Sequence, residues 1–206
     1  MCAEYQHFFL EPMIQYVTDK KAEVRQAAAY GCGVIGQYAG EQFALACAQM
    51  IPRLVEVVNS PGSREPENAS STENAISAIT KILKYNNTAL TNTDEIINLW
   101  FSWLPVIEDV DEAPHVYGYL CDLIQANHPV ILGANNAHLP RILSIISEVF
   151  VRELIPVQHP DATRLLGIVK QLEQNPEVFQ ACVNVLTQEQ KQALEEAFRD
   201  MTTTSA

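Results

Sequence analysis

Apolar residues recur at Val24, Ala28, Gly31, Ile35 and Tyr38, three to four positions apart, which is the spacing of one face of an α-helix. Asp19 stands ahead of that stripe as a candidate cap, so a helix is predicted across the segment. The same reading predicts a helix near 41–59, where Pro52 would bend the chain. Another is predicted near 72–85, where Ser70-Ser-Thr-Glu73 has the form of a capping box and Ile76, Ile79 and Leu83 turn inward. Further helices follow near 93–104, 112–126, 136–153 and 161–174, the last with Leu165, Val169 and Leu172 in line. A final one near 188–200 opens with the box Thr187-Gln-Glu-Gln190. No segment alternates apolar and polar residues convincingly, so no strand is predicted and the class is all-α.

Within this helical pattern one phrase returns. The stretches LEPMIQYV, MIPRLVEVV, WLPVIEDV and LPRILSII carry prolines at 12, 52, 105 and 140, a mean step of about 43 residues. Each phrase is followed by a polar turn and a second helix, whose first turns align as Val24-Arg25, Thr72-Glu73, Pro114-His115 and Thr163-Arg164. Two helices per unit at that period describe HEAT-type repeats. The predicted architecture is an α-solenoid of about four to five helix pairs, with repeats near 4–39, 41–86, 92–126 and 136–174 and a terminal helix near 187–200. The turns carry an Asp-x4-Val-Arg pattern. Asp19 with Val24-Arg25 matches it in full, Asp109 with Pro114-His115 keeps only the acid, and Asp161 with Arg164 keeps both over a shorter gap. In a solenoid no unit buries its apolar face alone. The first helix, with Phe8, Phe9, Leu10, Met13, Ile14 and Val17, reads as an interior helix, so a further portion of a longer protein is expected ahead of it.

Composition narrows the classes. In 206 residues, 48% are apolar and 18% charged, enough to bury a core and too few charges for a disordered chain. Five cysteines, Cys2, Cys32, Cys47, Cys121 and Cys182, include no C-x-x-C pair, which fits reduced thiols better than a disulfide framework or a zinc module. An acid stands near the start where a signal peptide wants basic residues, and no apolar run approaches the roughly 18–20 residues of a membrane helix. The reading is therefore of a soluble, non-secreted chain without membrane insertion, in which Asn68-Ala-Ser70 and Asn86-Asn-Thr88 match the glycosylation pattern by chance. Half of the net charge of −12 falls between 61 and 112, where nine acids face Arg64, Lys81 and Lys84. Such a field repels phosphate backbones and attracts basic proteins, so direct nucleic-acid binding is not expected.

Apparatus for catalysis is not visible. His7, His115, His128, His138 and His159 never form H-E-x-x-H, and neither a phosphate loop nor a G-x-S-x-G elbow occurs. Gly31-Cys-Gly33 with Gly36 follows no strand; Ala27, Ala28, Gly31 and Cys32 are read instead as small residues for close helix contact. Cys32 and Cys121 lie in apolar stripes and are read as buried, inert thiols. Trp100 and Trp103 are read as core. No catalytic residue, metal ligand or cofactor is assigned, and the chain is not read as an enzyme.

Several longer words carry a resemblance. Ala22-Glu-Val-Arg-Gln-Ala-Ala-Ala-Tyr-Gly31, Ser71-Thr-Glu-Asn-Ala-Ile-Ser-Ala78, Trp103-Leu-Pro105, Tyr119-Leu-Cys-Asp-Leu-Ile124 and Asn127-His-Pro-Val-Ile-Leu-Gly133 with Asn135-Asn136 resemble the C-terminal region of the importin-β (karyopherin-β) family, over roughly residues 4–200. The resemblance implies a superhelix with first helices convex and second helices concave, and places Asp19 and Arg25 in a charge ladder between repeats. It also implies nuclear protein import: binding of basic cargo, contact with nucleoporins, shuttling between cytoplasm and nucleus, and release by Ran through N-terminal repeats outside this chain. On that geometry Glu73 and Asn74 open one concave helix and Asp109, Asp111 and Glu112 the next, with Glu65 and Glu67 on the preceding loop. These seven residues are the candidate cargo-binding set. The tail departs from the family at Val149-Phe-Val-Arg-Glu-Leu-Ile-Pro156, where a different local packing is expected. The alternative function is a HEAT-repeat scaffold for protein assembly without a transport role.

Overall fold

A computed structural model of the protein describes residues 6–204. Eleven α-helices and two short 3-10 turns occur among them, with no strand, so the all-α class holds. The chain divides into two compact units, Met1–Val116 and Tyr117–Ala206.

The first unit contains α1 (Gln6–Tyr16), α2 (Ala22–Tyr38), α3 (Ala44–Asn59), α4 (Pro66–Tyr85), α5 (Thr93–Ser102) and the start of α6 (Ala113–Gln125). Helix α4 packs against α2, α3 and α5. It is consequently buried on nearly every side, from Ile76, Ile79 and Ile82 to polar Ser77, Thr80 and Lys81. Trp100 of α5 is fully buried and donates its indole N–H to Thr80 Oγ1 at 2.8 Å. Trp103 is only partly buried and reaches Asn59 Oδ1 at 3.1 Å, so the core reading fits Trp100 better than Trp103.

Helices α2 and α4 meet through glycine. A Cβ at Gly36 would lie 2.7 Å from Ile82 Cγ1 and 3.1 Å from the Ile82 backbone nitrogen, and one at Gly33 would lie 3.2 Å from Lys81 Cδ and 3.3 Å from Ala78 Cα. Gly31 instead faces Met13 of α1, while Ala27 is exposed. Gly36→Ala is therefore expected to destabilise the protein by about 1–3 kcal/mol. Gly167→Ala, with nothing within 4 Å of its Cβ, is expected to be stabilising by up to about 1 kcal/mol. Urea midpoints of the two variants at unchanged slope check both signs.

The second unit contains α7 (Pro129–Leu132), α8 (Leu139–Val151), α9 (Pro160–Glu173), α10 (Pro176–Val183) and α11 (Gln188–Thr204). Its core includes Leu120, Ile142, Ile146, Val149 and Leu165. The box at the start of α11 forms in both directions: Gln190 N–H donates to Thr187 Oγ1 at 3.1 Å and Thr187 N–H to Gln190 Oε1 at 3.0 Å. Helix α8 ends in a Schellman motif, with Leu154 N–H on Val149 carbonyl at 3.0 Å and Glu153 N–H on Phe150 carbonyl at 3.3 Å. Glu153 stands in the left-handed region at φ 52°. Leu154 and Ile155 then turn into the core, which accounts locally for the apolar tail sequence.

Several expectations are corrected. Helix α4 begins at Pro66, not near 72, because proline suits a first turn, where its missing N–H is not needed; Ser70–Glu73 is thus helix interior and not a cap. Pro52 lies within α3, as the predicted helix near 41–59 has it. The phrase at Pro105 follows a cis Leu104–Pro105 bond and forms a loop, not a first helix. Helices α7 and α10 went unpredicted, being too short for periodicity to show. Lys21, not Asp19, is the residue at the N-terminal boundary of α2; Asp19 Oδ1 accepts Lys21 N–H at 2.8 Å. Cys2 and the His7 side chain lie outside the described residues; Cys32, Cys47, Cys121 and Cys182 are buried thiols in no disulfide. Burial pushes Cys32 up to about 12 and Cys47 to about 11, so neither is a thiolate at neutral pH.

Candidate functional site

The candidate acids gather where α4 faces the loop that leads into α6. Glu73, Asn74, Ser77, Thr80 and Lys81 recur at one, three and four residues along α4, a polar stripe beside the apolar Ile76, Ile79 and Leu83. Each finds a partner. Glu73 accepts backbone N–H groups from Ile107 at 2.7 Å, Glu108 at 2.7 Å and Asp109 at 2.8 Å, and Arg64 Nη1 stands 3.6 Å away. Asn74 donates to Asp109 Oδ2. Ser77 donates to Glu112 Oε2, which also pairs with Lys81 Nζ at 2.6 Å. The stripe thus fixes the loop 107–112 by charge-assisted hydrogen bonds in a water-poor place.

This changes the roles of the predicted set. Glu73, Asn74 and Glu112 are 2%, 4% and 8% exposed, so the expectation that they stand open on a wall is corrected: their polar atoms are occupied within the protein. Asp111 is exposed and Asp109 half-buried. Glu65, at the N-terminal boundary of α4, and Glu67, in its first turn, are exposed but do not line the cleft described next.

Outside the stripe lies a shallow cleft of about 340 Å³. Asp109, Asp111 and Glu112 form one side, and Glu23 and Tyr30 of α2 belong to the other. Glu23 and Tyr30 are exposed, and Lys81 Nζ lies 5.6 Å from the centre of the Tyr30 ring. Because Lys81 is buried and already paired with Glu112, it leaves Glu23, Asp109 and Asp111 to set the sign of the opening. Desolvation pushes the Asp109 carboxyl above its ordinary value; the Glu112 N–H opposes this, the Glu112 and Asp111 charges add to it, and the Asn74 amide opposes it. A cation brought into the cleft lowers that cost. Sequence reading missed Glu23, which opens α2 far from the other acids; its only signal was its place in the first turn of a second helix.

The predicted ladder is also revised. Arg25 Nη1 donates to the backbone carbonyl of Asp19 at 2.9 Å, and Nη2 to Asn68 Oδ1 of α4 at 2.6 Å. Arg25 therefore links successive helix pairs, with Asn68 as its partner across and Asp19 contributing its carbonyl. In the second unit Arg164 plays the fuller part, bonding Asp161 Oδ1 at 2.9 Å, Asp122 Oδ1 at 2.6 Å and Gln125 Oε1 at 2.7 Å. The partners across lie 39 to 43 residues away, close to the period read from the prolines.

Comparison with known proteins agrees with the helical-repeat fold. The HEAT repeat family matches residues 9–39. Importin subunit beta-3 of Saccharomyces cerevisiae is 38% identical over 134 residues, 65% of this chain and 12% of that protein. A probable importin-5 homolog of Dictyostelium discoideum is 26% identical over 147 residues, 69% of this chain and 13% of that protein. Among solved structures, Kap121p bound to RanGTP superposes with a TM-score of 0.77 at 25% identity, over 96% of this chain and 18% of that one. Kap121p bound to the SUMO protease Ulp1p gives 0.76 at 26% identity, over 95% and 17%. The fold is of the HEAT-repeat α-solenoid class. Within that class, the matches support membership of the importin-β (karyopherin-β) family. It spans about an eighth of the length of the curated relatives.

Proposed function

We propose that the chain is a HEAT-repeat portion of a nuclear transport receptor, and that its acidic cleft contacts Lys or Arg side chains of a basic cargo protein. The observation that carries the reading is the convergence of Glu23, Asp109 and Asp111 on one opening beside Tyr30, an aromatic face against which a cationic side chain stacks. The family gives the context: related Kap121p structures hold RanGTP, Nup53p and Ulp1p. On this reading the chain shuttles between cytoplasm and nucleus, acts by binding and not by catalysis, and meets Ran and nucleoporins as part of a longer receptor. Glu65 and Glu67, exposed at the start of α4, add to the attracting field at a distance. Glu73, Asn74 and Glu112 serve the site by holding its loop.

Exposed ion pairs are individually weak and screened by salt, so several act together. A labelled Lys-rich peptide titrated at low and high salt tests this. Saturable binding that fades with salt, and that falls about ten-fold in Asp109→Lys/Asp111→Lys with the melting temperature preserved, is the expected result. No binding at low salt, or binding indifferent to the reversal, overturns the cleft; the scaffold function then becomes the better reading.

A further inference from the structure

Between α5 and α6 the segment 103–112 forms no helix, and its second half has two faces. On one face Ile107 and Glu108 line a cleft of about 550 Å³ together with Arg64, Glu73 and Trp103. On the other, Asp109, Asp111 and Glu112 line the acidic cleft. One short strap is thus a wall of both. Its first half is pinned by Leu104 and Val106, 4% and 1% exposed, and braced by Arg64, whose Nη2 donates to the Trp103 carbonyl at 2.6 Å. The second half is less firmly seated: Ile107 is partly exposed and Val110 is 54% exposed. Glu73 holds it through the N–H groups of 107–109, helped by Asn74, Ser77 and Lys81.

Charge works against that hold. Glu108, Asp109, Asp111 and Glu112 are four carboxylates within five residues, drawn over a fifth in buried Glu73. Lys81 offsets Glu112, whereas Glu108 and Asp111 are exposed and repel their neighbours. Desolvation, with the Glu112 and Asp111 charges adding to it, pushes the Asp109 carboxyl above its ordinary value. A segment with few apolar contacts and crowded charge is among the first to open locally. We infer that the strap 107–112 couples the two clefts: a cation seated on the acidic side relieves the repulsion and shuts the strap, and that closure narrows the cleft lined by Ile107 and Trp103. The inference rests on the acidic cleft as a site for basic side chains, and adds what binding there does to a surface the cation never touches. By linkage, loosening the strap from the Trp103 side weakens binding on the acidic side.

The first arm of the test uses the full chain without a partner. Glu108→Gln/Asp111→Asn removes two exposed charges of the strap and is expected to slow amide exchange at 107–109 about three-fold, without lowering the melting temperature. Faster or unchanged exchange overturns the inference. The second arm adds the labelled Lys-rich peptide at saturation. Exchange at 107–109 is expected to slow about five-fold, and acrylamide quenching of tryptophan emission to fall. Trp103→Phe is expected to remove the quenching change, since Trp100 is fully buried. The third arm runs from the other side. Arg64 is outside the lining of the acidic cleft, and Arg64→Gln removes a cation, which by field alone tightens a basic peptide. Release of the Trp103 carbonyl is expected instead to weaken the peptide about three-fold at an unchanged melting temperature. Tighter or equal binding overturns the coupling, and so does a peptide that binds but leaves 107–109 and Trp103 as they were. A chain that binds no Lys-rich peptide overturns the cargo cleft and the coupling with it, while the first arm still decides whether the strap opens.

Discussion

Glu73→Ala is expected to destabilise the protein by about 3–5 kcal/mol. The carboxylate is 2% exposed and accepts three successive backbone N–H groups, those of Ile107, Glu108 and Asp109. Hydrogen bonds to an ionised group are about twice as strong as neutral ones, and truncation leaves three donors without their acceptor and a hole beneath the loop. Arg64 Nη1 at 3.6 Å adds little, since Arg64 is exposed. Glu73→Gln keeps one acceptor oxygen but brings an amide that has to point its N–H₂ at backbone donors, so about 1–3 kcal/mol is expected. Urea unfolding gives the totals. Amide exchange at 107–109 locates them: protection there should fall in Glu73→Ala before global unfolding sets in. A loss below about 1 kcal/mol with protection intact would show that water replaces the carboxylate.

The same residue marks the limit of what the sequence discloses. Helix pairs were legible because apolar spacing registers burial directly: the stripes at Ile76, Ile79 and Leu83 and at Leu165 and Val169 face inward as read. The polar stripe of α4 was named but misjudged. The geometry implied by the resemblance placed these acids on an open concave wall; isolated charges are costly to bury, but that rule lapses when a neighbouring loop supplies backbone donors. The clue present was periodicity in polar residues, Glu73, Ser77 and Lys81 at steps of four, on a helix whose apolar residues already filled its other sides. Glu23 belongs to the site only because α2 packs along α4, which no local pattern reports. The loop at Pro105 was read as helix because its words match the repeat; its backbone is instead held by Glu73 from outside the segment.

A consequence of this division is that folding and binding are separable by mutation. Asp109 and Asp111 reach the cleft, whereas the buried pair of Lys81 and Glu112, with side chains 4% and 10% exposed and 2.6 Å apart, lies behind it. Glu112→Gln is expected to destabilise by about 3–5 kcal/mol, because Lys81 is then a buried charge with only the Tyr30 ring and a neutral amide nearby. Lys81→Met is expected to cost a similar amount, since Glu112 keeps only the Ser77 hydroxyl as a side-chain donor. The double variant Lys81→Met/Glu112→Gln leaves neither charge of the pair, and Ser77 retains the amide oxygen as an acceptor. Its loss is expected to fall below the sum of the single losses by about 2 kcal/mol or more, a positive coupling read from a double-mutant cycle of urea midpoints. The double variant also removes one charge of each sign, so the field of the cleft is preserved. Its affinity for a Lys-rich peptide should match that of the parent, while Asp109→Lys/Asp111→Lys keeps the fold and loses the peptide. Additive losses in the cycle would mean that water already screens the pair, and the buried stripe would then not be what positions the acids.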